Sequence, residues 1–123
     1  MIKKMSLAWI AVKDINASKK FFKDTLGLDV TNDTPEYGWM ELKAPGTDFI
    51  LGVGQAREEH ETEKAGMNAV VTMTVDDIVK SKAALEAKGV KFIDEIIEVP
   101  GHVKMVTFVD KDGNKFQLVQ ELN

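Results

Sequence analysis

The chain contains no cysteine and only two histidines, His60 and His102, in 123 residues. Without a thiol it can build no thiolate zinc site, iron–sulfur cluster, disulfide framework or cysteine nucleophile. With two imidazoles, any metal site has to lean on carboxylates or take both histidines. A positive excess is missing too: 16 basic and 20 acidic residues leave a net charge of −4. Nucleic acid and anionic membrane surfaces need clustered positive charge, so neither is expected as a partner. Nor is there a long apolar run. Ser6 to Val12 is short and leads straight into Lys13-Asp14, too little for a signal peptide or a membrane span. The absences together predict a cytoplasmic location.

What is present suffices for a core. The chain is 44% apolar, its length corresponds to about one domain, and a chain of this size buries roughly two thirds of its unfolded surface. Ser6 to Val12 is apolar on both faces and reads as a buried strand. Asp14 and Asn16 are good N-cap types. Ala17 to Leu26 then fits an amphipathic helix with Ala17, Phe21, Phe22 and Leu26 on one side, and Gly27 supplies the stop. Extended pieces are expected over Leu28–Thr31, Gly38–Lys43 and Asp48–Val53, with a turn at Ala44-Pro45-Gly46-Thr47. Arg57 to Lys64 has no apolar residue and reads as a solvated connector. His60 lies there among glutamates, a setting that is ligand-rich by composition but equally that of a charged run in water.

The opening order then recurs. Ala69–Val75 predicts a strand, Asp76-Asp77 a cap, Ile78–Lys88 a helix and Gly89 its stop. Strands are expected over Val90–Ile93, Val103–Val109 and Lys115–Val119, the last two joined by a hairpin at Asp110-Lys111-Asp112-Gly113-Asn114. Val12, Asp14, Ile15, Ser18 and Lys19 match Val75, Asp77, Ile78, Ser81 and Lys82 at one separation of 63 (75 minus 12). Pro45 to Phe49 matches Asp112 to Phe116 at a separation of 67 (116 minus 49). An internal duplication accounts for both.

With the repeat in view, the chain resembles the vicinal oxygen chelate superfamily, the glyoxalase, bleomycin-resistance and extradiol-dioxygenase group. The resemblance spans nearly the whole chain and rests on Val12-Lys13-Asp14, Phe21-Phe22, Leu26-Gly27, Gly38-Trp39-Met40-Glu41-Leu42 and Phe108 through Leu118. The most specific motif is the hairpin, where the family usually has Asp-Pro-Asp-Gly-Asn and Lys111 replaces the proline. The resemblance implies an α+β fold of two βαβββ modules in tandem, forming a curled mixed sheet around a cleft. Module one falls at about 5–54, the connector at about 55–67 and module two at about 68–121. Many members of the family pair two chains, so a homodimer is expected as well.

In metal-dependent relatives, side chains from the first and last strand of each module chelate a divalent ion. Those positions here read Leu7, Ile50, Val70 and Gln117. Leucine, isoleucine and valine have no lone pair to donate, and a single carboxamide oxygen cannot hold a catalytic ion. No metal or other cofactor is expected, and the metal-dependent chemistries of the family lose their means.

The residues left to face a cleft follow from strand alternation. Gln117 turns inward with Val119, while Phe116 and Leu118 turn toward the helices. Leu7, Trp9 and Ala11 share one face, as do Val70, Thr72 and Thr74. Trp9, Trp39 and Tyr37 offer flat surface for a planar ligand, although core packing is an available use of any aromatic. Glu41 shares the face of Trp39, as a general base, an anchor for a cation or a solvated edge charge. Gln55, Arg57, His102 and Lys104 are candidates for the rim. Three functions follow. The first is a metal-free protein binding a small aromatic or cationic molecule through Trp9, Trp39, Glu41, Arg57, Thr72, Thr74 and Gln117. The second is a lyase or isomerase using Glu41 or His102 as acid or base, and the third a protein-interaction module.

Overall fold

The computed structural model describes residues 7–58, 64–67 and 70–122. The chain divides into two compact units, Met1–Asn68 and Ala69–Asn123, and the fold is α+β with the same element order in each.

In the first unit, β1 (Ala8–Val12) leads to α1 (Ile15–Lys20), whose last turn widens into a π-turn over Phe21–Thr25. Then come β2 (Asp29–Thr34), a 3-10 turn (Pro35–Tyr37), β3 (Trp39–Lys43) and β4 (Leu51–Gln55). The sheet order is β1-β4-β3-β2, with β1 and β4 parallel and the other pairs antiparallel. The helix starts where Asp14 accepts the amides of Asn16 and Ala17 at 3.1 and 3.2 Å, satisfying two of the orphan donors of the first turn. It stops at Gly27, whose φ of 75° is a conformation costly to residues with a Cβ. The expected helix thus begins two residues earlier than periodicity suggests. Its buried residues are Ser18 and Phe22, and Ala17, Phe21 and Leu26 are only half-buried. One face of the sheet joins Phe22 in a core of Ile10, Val12, Met40, Leu42, Leu51 and Val53. Each such side chain contributes about 1.5–3 kcal/mol by leaving water.

In the second unit, β5 (Val71–Thr74) leads to α2 (Ile78–Ala87), β6 (Lys91–Phe92), β7 (Ile97–Val99), β8 (Val103–Val109) and β9 (Lys115–Glu121). The order is β5-β9-β8-β6, and β7 also pairs with β8. Strands β6 and β7 are two halves of one interrupted edge strand, and the sequence pattern anticipated only the first. Across the gap, Thr107 donates its amide to the Asp94 carboxylate at 2.7 Å, so a side chain replaces the missing ladder partner. Val71, Ile78, Val90, Val106, Phe108, Phe116 and Leu118 form the core, with Phe108 stacked on Phe116 at 5.4 Å between ring centroids.

The β8–β9 hairpin is held by one carboxylate. Asp110 accepts the amides of Asp112 and Asn114, both at 2.9 Å, and the Asn114 side-chain amide at 2.8 Å. Burial pushes its carboxyl above the ordinary carboxylate value, against the opposing pull of the Asn114 and Asp112 bonds. Lys111, standing where the family has proline, is exposed.

The duplication also appears in hydrogen bonds. Asp77 caps α2 by accepting from Lys80 N at 3.1 Å, as Asp14 caps α1. The Ile15 amide donates to Gln55 Oε1 at 3.1 Å and the Ile78 amide to Gln120 Oε1 at 2.9 Å. Trp9 pairs with Gly52 as Thr72 pairs with Gln117. The final strands therefore correspond at a separation of 65 (117 minus 52). The hairpin motif suggested 67. The counterpart of Gln117 in the first unit is Gly52, two residues beyond Ile50.

Candidate functional site

In the first unit, the core takes one face of the sheet and leaves the other to a compact polar and aromatic group. Two cross-strand rows make up this second face. Trp9, Gly52, Glu41 and Asn32 are successive partners in one, and Ala11, Gly54, Trp39 and Thr34 in the next. A Cβ on Gly52 would stand 2.5 and 2.7 Å from the end of the Trp39 ring and 2.9 Å from Trp9 Cβ. On Gly54 it would meet Trp9 and Trp39 ring carbons at 3.2 and 3.4 Å. The two glycines are thus the floor on which both indoles lie, which explains alternate glycines in an otherwise apolar strand.

The indoles meet edge to face, with centroids 5.8 Å apart and planes at 60°, the arrangement their quadrupoles favour. Trp39 Nε1 donates to Glu41 Oε2 at 2.9 Å, which fixes the ring and the carboxylate together. The other Glu41 oxygen has no partner among the described residues. Trp9 keeps 42% of its surface exposed, a large fraction for an indole packed on a sheet.

A β-bulge sets the edge of this face. The ladder between β2 and β3 skips Thr31, so Val30 pairs with Leu42 and Asn32 with Glu41. Simple alternation would put Thr31 and Asp33 beside Glu41 and Trp39. The extra residue brings Asn32 and Thr34 there instead and turns Asp33 to the helix side, where it meets Lys19 at 2.6 Å. Thr34 donates its hydroxyl to Asn32 Oδ1 at 3.0 Å, and the Asn32 amide nitrogen has no partner among the described residues. Sequence reasoning missed Asn32 and Thr34 because a bulge leaves no mark in residue type. Gly52 and Gly54 did carry a signal, the glycine alternation itself.

Trp9, Trp39 and Glu41 come together on this face. Tyr37 does not join them: it lies in the 3-10 turn and is 82% exposed, because Gly38, in the left-handed region with φ 62°, intervenes before β3 begins. Gln55 is not a rim residue either. Its side chain accepts from Ile15 N and donates to the Lys13 carbonyl, so both its polar atoms serve the helix entry. Arg57 is exposed, two residues beyond β4.

In the second unit, Thr72 and Thr74 pair with Gln117 and Val119 across β5 and β9, on the face opposite Phe116 and Leu118. Lys104 falls on the helix side, since it pairs with the helix-capping Gln120 and alternates with Met105. His102 is exposed in the turn before β8, its amide bonded to the Val99 carbonyl at 2.9 Å. Glu41 and His102 thus belong to different units. His60 and Glu59, Glu61 and Glu63 lie outside the described residues.

The chelating positions give a donor set that does not fit a divalent ion. Leu7 and Val70 are exposed aliphatics, Gly52 has no side chain, and Gln117 alone has a donor atom. The move from Ile50 to Gly52 changes the residue and not the chemistry. Among the described residues no three His, Asp or Glu side chains group as a metal site would. No helix among them is long and apolar enough to cross a membrane.

Comparison with known proteins agrees with this architecture. Residues 4–118 match the model of the Glyoxalase/Bleomycin resistance protein/Dioxygenase superfamily. The chain is 28% identical to the uncharacterized protein YetH of Bacillus subtilis (strain 168), over 96% of this chain and 98% of the relative. A solved member of the superfamily from Sphaerobacter thermophilus DSM 20745 superposes with a TM-score of 0.82 at 25% identity, covering 98% of each chain. TnmS3, an antibiotic binding protein from Streptomyces sp. CB03234, superposes with a TM-score of 0.81 at 26% identity, covering 98% of this chain and 97% of its own.

Proposed function

This chain belongs to the Glyoxalase/Bleomycin resistance protein/Dioxygenase superfamily, and we propose that it is a member that binds a small, flat, positively charged organic molecule without a metal. The observation that carries the reading is the fixed pair of Trp39 and Glu41, bonded at 2.9 Å beside the half-exposed ring of Trp9. An indole face attracts a planar ring and a cation alike. A carboxylate oxygen beside it supplies the compensating charge, and Asn32, on the same row, adds a neutral donor. Binding without a metal follows from the donor set, which offers one carboxamide where an ion needs about three ligands. The antibiotic-binding relative supports a sequestering role over a catalytic one. Holding a ligand needs no acid–base group, and Glu41 is already bonded to the indole.

The test is a titration of the purified protein with proflavine, a flat aromatic cation, followed by tryptophan fluorescence in the presence and absence of a chelator. Saturable quenching that ignores the chelator is expected, with affinity reduced about tenfold in Glu41→Gln, the equivalent of losing one charge-assisted contact. Quenching that disappears on chelation, or that is the same in Glu41→Gln and Trp39→Leu as in the parent, overturns the reading.

A further inference from the structure

The sheet of the second unit carries a row of polar side chains that the unit itself does not use. Thr72 pairs with Gln117, and Gln117 with Thr107. Three neutral groups therefore stand side by side across β5, β9 and β8, about 4.8 Å apart by the spacing of strands. Thr107 is the informative member, and the sequence did not single it out. It is only 8% exposed. The Asp94 carboxylate takes its amide, and its carbonyl accepts from Ile93 N at 3.0 Å, so the interrupted edge strand closes over its backbone. Yet among the described residues its hydroxyl has no hydrogen-bond partner, and the same holds for the Gln117 carboxamide and the Thr72 hydroxyl. Among those residues no fully buried side-chain nitrogen or oxygen lacks a partner. The unpaired Thr107 hydroxyl must therefore reach the open side of the sheet.

On that side the hydroxyl is open to water or to a ligand, and a ligand that displaces the water has to replace its hydrogen bonds. We propose that Thr72, Gln117 and Thr107 form a binding row for an uncharged carboxamide-type edge, a lactam or imide. The choice follows from the donor and acceptor inventory. A carboxamide offers one N–H group and one carbonyl oxygen side by side, and so does Gln117, so the two match as an antiparallel pair. The hydroxyls on either side rotate to donate to, or accept from, whatever the pair leaves over. An anion finds no cation on the row and meets the Asp94 carboxylate at its end. A cation finds neutral acceptors on the row itself and, at its end, a carboxylate whose Oδ1 already accepts the Thr107 amide. The proposal rests on the second unit alone and stands or falls apart from the indole face.

The experiment is a titration of the 15N-labelled full chain with 2-piperidone, a lactam without an aromatic ring, followed by amide resonances. Piperidinium and glucose serve as cationic and polyhydroxyl comparators. Saturable shifts are expected at the Thr72 and Thr107 amides and at the Gln117 side-chain amide, with 2-piperidone binding at least about fivefold tighter than either comparator. Thr107→Val, of nearly the same shape, weakens it about threefold, and Gln117→Leu removes it. Gln117→Glu keeps the shape of the side chain and reverses the preference toward piperidinium, which guards against a β9 disturbed by leucine. Equal shifts from 2-piperidone and piperidinium, tighter binding of glucose, or shifts that survive in Gln117→Leu overturn the proposal. None of these outcomes bears on proflavine quenching, so failure here and failure on the indole face are separable.

Discussion

The two sheets have the same ladder and opposite faces. Where the first unit sets Trp9 against Gly52 and Glu41, the second sets Thr72 against Gln117 and Thr107. On the first, bulk comes from side chains of the flanking strands, and the middle strand has none at that place. On the second, the middle strand holds the longest side chain of the row and its neighbours are small. One backbone thus presents a flat, negatively charged surface in one copy and a neutral hydrogen-bonding row in the other. Duplication fixed the register; the residues at the middle strand decide the chemistry.

The comparison breaks first at Gly52. A Cβ there stands 2.5 Å from a rigid indole ring, so Gly52→Ala has to displace Trp39 and with it the bond to Glu41. A loss of about 1–3 kcal/mol in urea unfolding is expected, with the tryptophan emission shifted to the red. The matching change in the second unit, Gln117→Ala, removes a side chain without partners among the described residues and stays within about 0.5 kcal/mol. Equal effects at the two positions would mean that the glycine floor does not support the indoles.

The hairpin turns offer the next contrast, because one is built on a buried carboxylate and the other is exposed. Asp110→Ala removes three acceptor bonds at 2.8–2.9 Å from a buried turn, two of them to the buried Asn114. It should cost about 2–3 kcal/mol. Thr47→Ala in the other turn removes one exposed bond to the Ala44 carbonyl, a change of a few tenths of a kcal/mol. Acid sharpens the difference. Burial raises the Asp110 carboxyl in the folded state, so between its folded and unfolded pKa values the folded protein binds more protons than the unfolded chain. Stability drawn from this group is therefore present in acid and is lost as pH rises through the folded pKa. Measured by denaturation, the parent should gain on Asp110→Asn as pH falls through that window, and a difference independent of pH would contradict the assignment.

Much of this was legible beforehand, and the failures share a cause. Caps, the helix stop, the final hairpin and the alternation of strand faces are short-range properties written in residue type, so Asp14, Gly27, Asp110 and the common face of Trp39 and Glu41 could be read directly. The bulge at Thr31, the interruption between β6 and β7 and the part played by Asn32 and Thr107 depend on pairing between strands, which composition does not record. The ladders match Gln117 to Gly52, whereas the motifs about the turn match it to Ile50. The turn of the first unit carries a two-residue difference that only strand pairing reveals. Residue type groups Tyr37 with the tryptophans, and the left-handed Gly38 separates it from them.

The smallest effect tests the comparison where the units agree. Gln55 and Gln120 each reach from the last strand to the first amide of a helix, but Gln55 also donates to the Lys13 carbonyl while, among the described residues, the Gln120 side chain bonds Ile78 N alone. The Gln55 site is more exposed than the Gln120 site, so water replaces part of what is lost there. Gln120→Ala should cost about 1 kcal/mol and Gln55→Ala about the same, the second bond offset by its exposure. Because the two glutamines occupy equivalent places in one repeated register, each variant should lower protection from hydrogen exchange first in its own helix, around Ile15 in one and Ile78 in the other. If Gln55→Ala instead loosens α2, the helix entries are not independent copies of one device, and the correspondence at 65 loses its physical meaning.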